Sequence, residues 1–587
     1  MFRSLTGPTF AALVLMSAAT LSAQEKSLSR VPSKAPIVAS IKGYDLAPAE
    51  VAKMLANAVP DLAPKYTKEF TDALNQLTEG RDTKEIRKNA PWYIAVTDLA
   101  SLLETPKITV LLPITGYKAF KESFLTKDEL KAITADGKVE TTSLKGEMDV
   151  FLVDSGEYAI LSNSKDDLAM FQKVDESIEK LMSDDSKALF AKSTVSIYVN
   201  LKTINDAYGP QLKGFKTLID IALQGGQGGL DKKQAEMAKS VLTTFFQILD
   251  DGENLIVGAE FRPEGLNIAL STQFGDRTGT GKFLASQKPT ALADVAKLPA
   301  GKMNYTGLSF DPKSSKILSS LVAGLAGTDE DEAVQKKIDE AEAALVAAGV
   351  ISSTGASDMK GGSVSIATYK DNEAAAAATL KLTGALTANS TMASLAFKSK
   401  PVVKASVAKI GGFDLNSVAV EYDFDKIVAA LPEEARAAQK AMLEKVSGGP
   451  KQTIWFGTDG KAVITVTATD ADTAKALLEA YTSGKSVLDG DKAYAATRKN
   501  LPAQTSYLTL LETGRIVEMM GDTLKSIGNI QPGALPIQIP ELKAPKGETS
   551  YIGIALTLKP KHGTIDVFVP AAAVGTIRRM VGPSIDD

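Results

Sequence analysis

A short β-rich run followed at once by a helix start recurs along this 587-residue chain. It stands at Trp92-Tyr93-Ile94-Ala95-Val96 before Leu99-Ala100-Ser101-Leu102-Leu103, and again at Ile197-Tyr198-Val199-Asn200-Leu201. Further copies begin at Leu308-Ser309-Phe310-Asp311-Pro312, Val418-Ala419-Val420-Glu421-Tyr422 and Tyr507-Leu508-Thr509-Leu510. The starts lie roughly 90 to 110 residues apart, which suits small domains better than solenoid repeats. The chain is also too long for one ordinary core.

The second half of the unit reads as a β-hairpin. Ile256–Phe261 and Leu266–Leu270 flank Arg262-Pro263-Glu264-Gly265; Ile554–Leu558 and Ile565–Val569 flank Lys559-Pro560-Lys561-His562-Gly563. Proline presets φ early in such a turn and glycine supplies the left-handed position. Two further copies lie at Ile454–Val466, around Asp459-Gly460, and at Met148–Leu161, around Asp154-Ser155-Gly156. Between 302 and 400 only Ser363–Tyr369 reads clearly as strand. Helices are expected between these runs. One is capped by Thr328, carries the stripe Val334, Ile338, Ala341 and Leu345, and ends at Gly349; another starts at Asp470 or Asp472. A helical hairpin is expected from about Leu201 to Leu249, its arms joined by Gly225-Gly226-Gln227-Gly228-Gly229.

The expected fold class is therefore α+β, built from repeated units of strand, helices and antiparallel hairpin, with helices on one face of each sheet. The expected divisions are 37–185, 186–290, 291–400, 401–500 and 501–587, the last with a Pro-rich excursion over 531–546.

The first residues bear on location. Met1-Phe2-Arg3 is basic, Pro8–Leu21 is apolar and uncharged, and Leu21-Ser22-Ala23 precedes a polar Gln24-Glu25-Lys26. This is the pattern of a signal peptide spanning 1–23 and cut after Ala23, followed by a flexible leader over 24–36. The membrane is then met only during export. No later apolar run approaches the ~20 residues of a membrane span, so a soluble periplasmic or secreted mature chain is expected. A net charge of -4 gives no reason to expect a nucleic-acid partner.

The chain has no Cys and one His. Thiolate chemistry is thereby excluded, and transition-metal sites have almost no ligands to draw on. His562 reads as a solvated turn residue, with no nucleophile elbow nearby. Asp329 and Asp331, Asp423 and Asp425, and Asp470 and Asp472 read as helix-start acids, where carboxylates accept free backbone N–H groups. The other reading of such acids, a hard-cation site or a glycosidase-like pair across a cleft, needs geometry that spacing does not supply. Gly275–Phe283 looks like a phosphate loop but holds one residue too many before Gly281-Lys282, and Phe283 has no hydroxyl. The Gly225–Gly229 run follows a helix and fails as a dinucleotide motif. No catalytic residue, cofactor or metal ligand is therefore assigned.

The candidate site is the apolar face of the 201–249 hairpin: Phe215, Leu218, Ile219, Val241, Leu242, Phe245 and Phe246, with Ala222 and Met237 beside them. Burial on the unit's own sheet accounts for such a face; a groove for a hydrophobic ligand or a partner surface is the sharper reading. The signal ending Leu21-Ser22-Ala23-Gln24, the Trp92-Tyr93-Ile94 strand, Leu111-Leu112-Pro113-Ile114 before Tyr117-Lys118-Ala119-Phe120, and Phe568-Val569-Pro570 resemble the exported proteins of unknown function of planctomycete-type bacteria. That resemblance is one of organisation and brings no activity with it. The leading expectation is an exported, non-enzymatic binding or scaffolding protein whose partner is an envelope component or an apolar ligand. A carrier of a lipid or other hydrophobic ligand and a carboxylate-dependent extracellular hydrolase are the alternatives.

Overall fold

The computed structural model describes residues 28–99, 106–146, 148–224, 243, 246–309, 326–328, 332–358, 362–392, 395–429, 433–485, 487–530 and 549–581. The proposed signal peptide, residues 100–105, the Gly225–Gly229 joint and the 531–546 excursion lie outside them. The fold is α+β, as expected. The chain forms two compact units, Met1–Lys282 with Lys561–Val567, and Phe283–Pro560 with Phe568–Asp587; the boundary after Lys282 cuts the expected 186–290 segment, and Lys561–Val567 of the expected 501–587 segment belongs with unit 1.

Unit 1 holds β1 (Ile37–Ile41), β2 (Trp92–Asp98), β3 (Lys107–Pro113), β4 (Thr134–Asp136), β5 (Val139–Leu144), β6 (Met148–Asp154), β7 (Tyr158–Ser162), β8 (Val195–Val199), β9 (Gly252–Arg262) and β10 (Gly265–Phe274). Every pairing among them is antiparallel, and their order is β4-β5-β6-β7-β3-β2-β1-β8-β9-β10. The central strands are apolar on both faces because both are covered. Ile94, Val110 and Leu161 pack with Val51 and Met54 of helix Leu46–Ala58, Phe70 and Leu74 of helix Ala63–Leu77, and Phe120 and Phe124 of helix Tyr117–Phe124. Tyr93, Leu111 and Ile160 point the other way, to Leu168, Ile178 and Phe190 of the helical segments between β7 and β8. The expectation of one covered face is thus corrected to two. The strand period of two sends alternate side chains to separate cores, which is why these strands read as continuous apolar runs.

Unit 2 holds β11 (Asn304–Ser309), β12 (Ala326–Thr328), β13 (Val350–Ser357), β14 (Ser363–Tyr369), β15 (Ser390–Met392), β16 (Leu395–Ala396), β17 (Val402–Ile410), β18 (Phe413–Glu421), β19 (Lys451–Thr458), β20 (Val463–Ala468), β21 (Tyr507–Glu512) and β22 (Tyr551–Lys559). β12, β15 and β16 make a small separate sheet. The rest order as β17-β18-β19-β20-β14-β13-β11-β21-β22, again antiparallel throughout. Position by position this is the order β4-β5-β6-β7-β3-β2-β1-β8-β9 of unit 1. The two units share one topology, so the repeat of this chain is half the protein rather than a fifth of it.

Several local expectations hold in detail. In the β19–β20 turn the Asp459 carboxylate accepts from the N–H groups of Lys461 and Ala462, both at 2.9 Å, which fixes the reversal. The Pro263-Glu264 turn joins β9 to β10, with Gly265 at φ 152°. Gly349, at φ 69°, ends helix Glu332–Ala348. Other expectations need correction. Thr328 lies in β12 and does not cap that helix, which begins at Glu332. Residues 28–36 are not a flexible leader: Leu28, Val31 and Ala35 are buried in the unit 1 core, and the Ser33 N–H donates to the Glu176 carbonyl at 2.8 Å. The polar spelling of that stretch hides three apolar residues spaced to face one way.

His562 is likewise not a solvated turn residue. It opens β23 (His562–Pro570), is 7% exposed, and leaves the turn to Lys561, at φ 66°. The start of β23 lies along β10: the Phe274 N–H donates to the Lys561 carbonyl at 2.9 Å, and the Ser271 and Thr564 hydroxyls are 3.0 Å apart.

Candidate functional site

The helix Leu201–Gln224 leaves the end of β8, and its start is fixed by sequence-local chemistry. The Asn200 side chain accepts the Thr203 N–H at 3.0 Å, and its amide donates to the Ser33 carbonyl at 2.7 Å. Leu201 is buried against Gly252, where a Cβ would stand 2.5 Å from its Cδ1. The Asn205 amide then donates to the Leu249 carbonyl at 2.8 Å, tying the helix to the returning arm. The first turns are therefore anchored. Further along, Leu218 is 65% exposed and Ile221 60%. Three residues apart, they share one face of the helix.

The candidate residues divide accordingly. Leu218 is on the surface, whereas Phe246 is 7% exposed, with the Lys216 ammonium 5.8 Å from its ring centroid. Phe246 is thus a core residue and no part of an open apolar face. Phe215 and Ile219 lie in the helix by backbone. Val241, Leu242 and Phe245 lie outside the described residues. Ile221 was missed by the sequence reading although it stands one turn from Leu218.

The shared topology supplies a counterpart that sequence reasoning also missed. In unit 2 the helix Thr513–Ile530 follows β21 as Leu201–Gln224 follows β8. The Glu512 carboxylate accepts from the N–H groups of Gly514 at 3.2 Å and Arg515 at 2.8 Å, and Arg515 pairs with Asp358 at 2.9 Å. On this helix Met520 is 55% exposed. The only signal available beforehand was the matching strand-to-helix start.

The acids do what helix-start acids do. Asp423 accepts the Lys426 N–H and Asp470 the Thr473 N–H, at 2.9 and 2.8 Å. Asp425 pairs with Lys440 at 2.6 Å. Asp329 and Asp331 lie outside the described residues. In the phosphate-loop lookalike, the Thr280 N–H donates to Asp251 at 2.8 Å and the Gly281 N–H to the Thr278 hydroxyl at 3.0 Å, so side chains occupy both amides. Among the described residues no three of His, Asp and Glu gather as a metal site.

Two charged sites depart from this pattern. Lys42 and Glu50 pair at 3.3 Å near Glu260 and Arg262. Burial lowers the Lys42 ammonium and raises the Glu50 carboxyl, outweighing their attraction in both. Asp566, on the inward face of β23, is 6% exposed. Burial raises its carboxyl above the ordinary value, opposed by Lys192. A carboxyl raised in the folded state is tolerated best when protonated, so its contribution is most favourable at low pH and is lost as pH rises through the folded value. Asp566→Asn is therefore expected to raise stability at neutral pH and leave it little changed in acid, as urea unfolding at two pH values would show.

A groove of about 650 Å³ runs between helices Leu46–Ala58 and Ala63–Leu77, lined by Ala52, Ala56, Pro64, Thr67 and Thr71 among others. Its polar lining is satisfied locally: Lys68 and Asp72 pair with each other at 2.6 Å, and the Thr71 hydroxyl donates to the Thr67 carbonyl at 2.9 Å. No described helix is long and apolar enough to cross a membrane.

No protein-family model and no curated protein matches the chain. Among solved structures, crystal form I of TP0453 aligns over 44% of this chain and 82% of its own, at 10% identity and a TM-score of 0.22. Crystal form III of TP0453 aligns over 43% and 80%, at 11% identity and a TM-score of 0.19. At such scores the likeness says nothing of what this chain does.

Proposed function

We propose that this chain is an exported, non-enzymatic binding protein of the cell envelope or extracellular space, holding an apolar ligand or partner on the helix that follows the eighth strand of its first unit. The observation that carries this reading is the exposure of Leu218 and Ile221 on one face of an anchored helix. Large apolar side chains left adjacent in water are a cost that binding recovers. The export reading rests on residues 1–23, and the lone imidazole and the capping acids leave the chain better suited to holding than to transforming.

The test is a titration with the dye 1-anilinonaphthalene-8-sulfonate. The full chain is expected to bind it saturably, and Leu218→Asp with Ile221→Asp to weaken binding by about tenfold, a loss of about 1.4 kcal/mol. Both residues are exposed, so the variant should retain its circular dichroism. Equal binding by the two proteins would contradict the reading, as would hydrolysis of an ester or polymer that survives the same substitutions.

A further inference from the structure

The two units differ most at one sheet edge. In unit 1 the edge position is filled by β4, three exposed residues long, with Asp136 paired to Lys165 at 2.7 Å. In unit 2 the same position is filled by β17, nine residues long and paired only with β18 among the described strands. The shared fold therefore does not require a long edge here. Val402 is 54% exposed and Val407 39%. An edge of this kind offers unpaired backbone N–H and C=O groups to another strand.

The edge strand itself carries only positive charge. Lys398, Lys400, Lys404 and Lys409 lie on it or just before it; across the ladder Asp414 of β18 stands opposite Lys409, whereas Ser417 stands opposite Lys404. Lys398 pairs with Glu421 at 3.2 Å, whereas Lys400, Lys404 and Lys409 make no ion pair among the described residues. The register shifts between Lys404 and Ala408, with Ser406 at φ 51° and its N–H donating to Asn416 at 3.2 Å. This bulge splits the edge into two short ladders, so a flat strand does not add along its whole length. Two such edges brought together place lysines against lysines with no acid between them, which disfavours a second copy as the occupant.

We propose that β17 is a docking edge for an extended, acidic peptide segment of a partner protein. The segment adds as a strand, its backbone pairs with the ladder at Val402–Lys404, and the carboxylates on one of its faces meet Lys404 and Lys400. This proposal is independent of the apolar helix in unit 1, so either stands if the other fails.

The test uses the full chain and two fluorescein-labelled peptides, one alternating Val or Thr with Glu, the other with Lys in place of Glu. By fluorescence anisotropy the acidic peptide is expected to bind at least about tenfold tighter, the margin closing as salt is added. Lys400→Glu with Lys404→Glu is expected to reverse the preference without altering the circular dichroism, since both side chains are exposed. Backbone amides of 402–404 are expected to gain protection from hydrogen exchange when the acidic peptide is bound. Equal affinity for the two peptides, no binding of either, an unchanged preference after charge reversal, or protection confined to other strands would overturn the proposal. So would sedimentation showing that the chain self-associates through this edge.

Discussion

Replacing Arg81 by Ala is expected to destabilise unit 1 by about 3–5 kcal/mol, the usual result of stripping one partner from a buried ion pair. The Arg81 guanidinium donates to both Glu129 oxygens, at 2.7 and 2.9 Å, and to the Phe124 carbonyl at 3.1 Å. Both charged side chains are 6% exposed. Glu129 also accepts the N–H groups of Thr126 at 2.8 Å and Lys145 at 2.9 Å, so it holds a helix start and a strand end together. Without Arg81 a buried carboxylate keeps its backbone donors but loses its counter-charge. The hydrogen bonds from Arg81, ahead of those from the backbone, hold the Glu129 carboxyl at about 2, against an ordinary 4.5. A carboxyl depressed in the folded state stabilises fully above the unfolded value and loses that contribution as pH falls towards the folded one. The wild type should therefore lose stability between roughly pH 4.5 and 2, and Arg81→Ala should lose less across the same range. Urea unfolding at neutral and acid pH checks both. A change below about 1 kcal/mol, typical of an exposed pair, would contradict the assignment.

The second large effect is expected in unit 2. Phe456→Ala should cost about 3–5 kcal/mol, as removal of a buried phenyl ring usually does. Phe456 is fully buried among Val418, Val420, Phe397 and Tyr422. The next residue, Gly457, lies so close to β18 that a Cβ would stand 1.9 Å from the Asp414 carbonyl oxygen. Backbone already in contact has no room to move in and fill the cavity, which keeps the cost high. The chain's two tryptophans, Trp92 and Trp455, fall one in each unit, so Trp92→Phe leaves a fluorescence probe next to the substituted residue. Unfolding followed through Trp455 should move to lower urea; an unmoved midpoint would show that Phe456 is not packed as described.

How much of this was legible in the sequence depends on what each element spells. The hairpins were plain, because Pro263-Glu264-Gly265 and Asp459-Gly460 carry their turn chemistry in the residues themselves. β13 was missed: its Val350-Ile351-Ser352-Ser353-Thr354-Gly355-Ala356-Ser357 is mostly small residues of weak strand preference, and pairing with β11 and β14 makes it a strand. The repeat was seen at the wrong length. Trp92 opens β2 and Leu308 sits in β11, which occupy different positions in the shared topology. A strand followed by a helix start is too generic to tell one position from another. Pairing order, which reveals the true period, is set by contacts between residues far apart in the chain. At the candidate site the sequence indicated a helix from Leu201, which the structure has over Leu201–Gln224, but not the facing of its residues. Leu218 and Phe246 are equally apolar on paper, and only packing separates the exposed one from the buried one.

The most direct measurement is of what the protein carries when it is released gently from cells and weighed intact by native mass spectrometry. The expected spectrum shows a discrete apolar adduct or a bound second chain on the wild type, and neither on the Leu218→Asp, Ile221→Asp protein. A bare chain in both cases, or the same passenger on both, would mean that this helix face holds nothing.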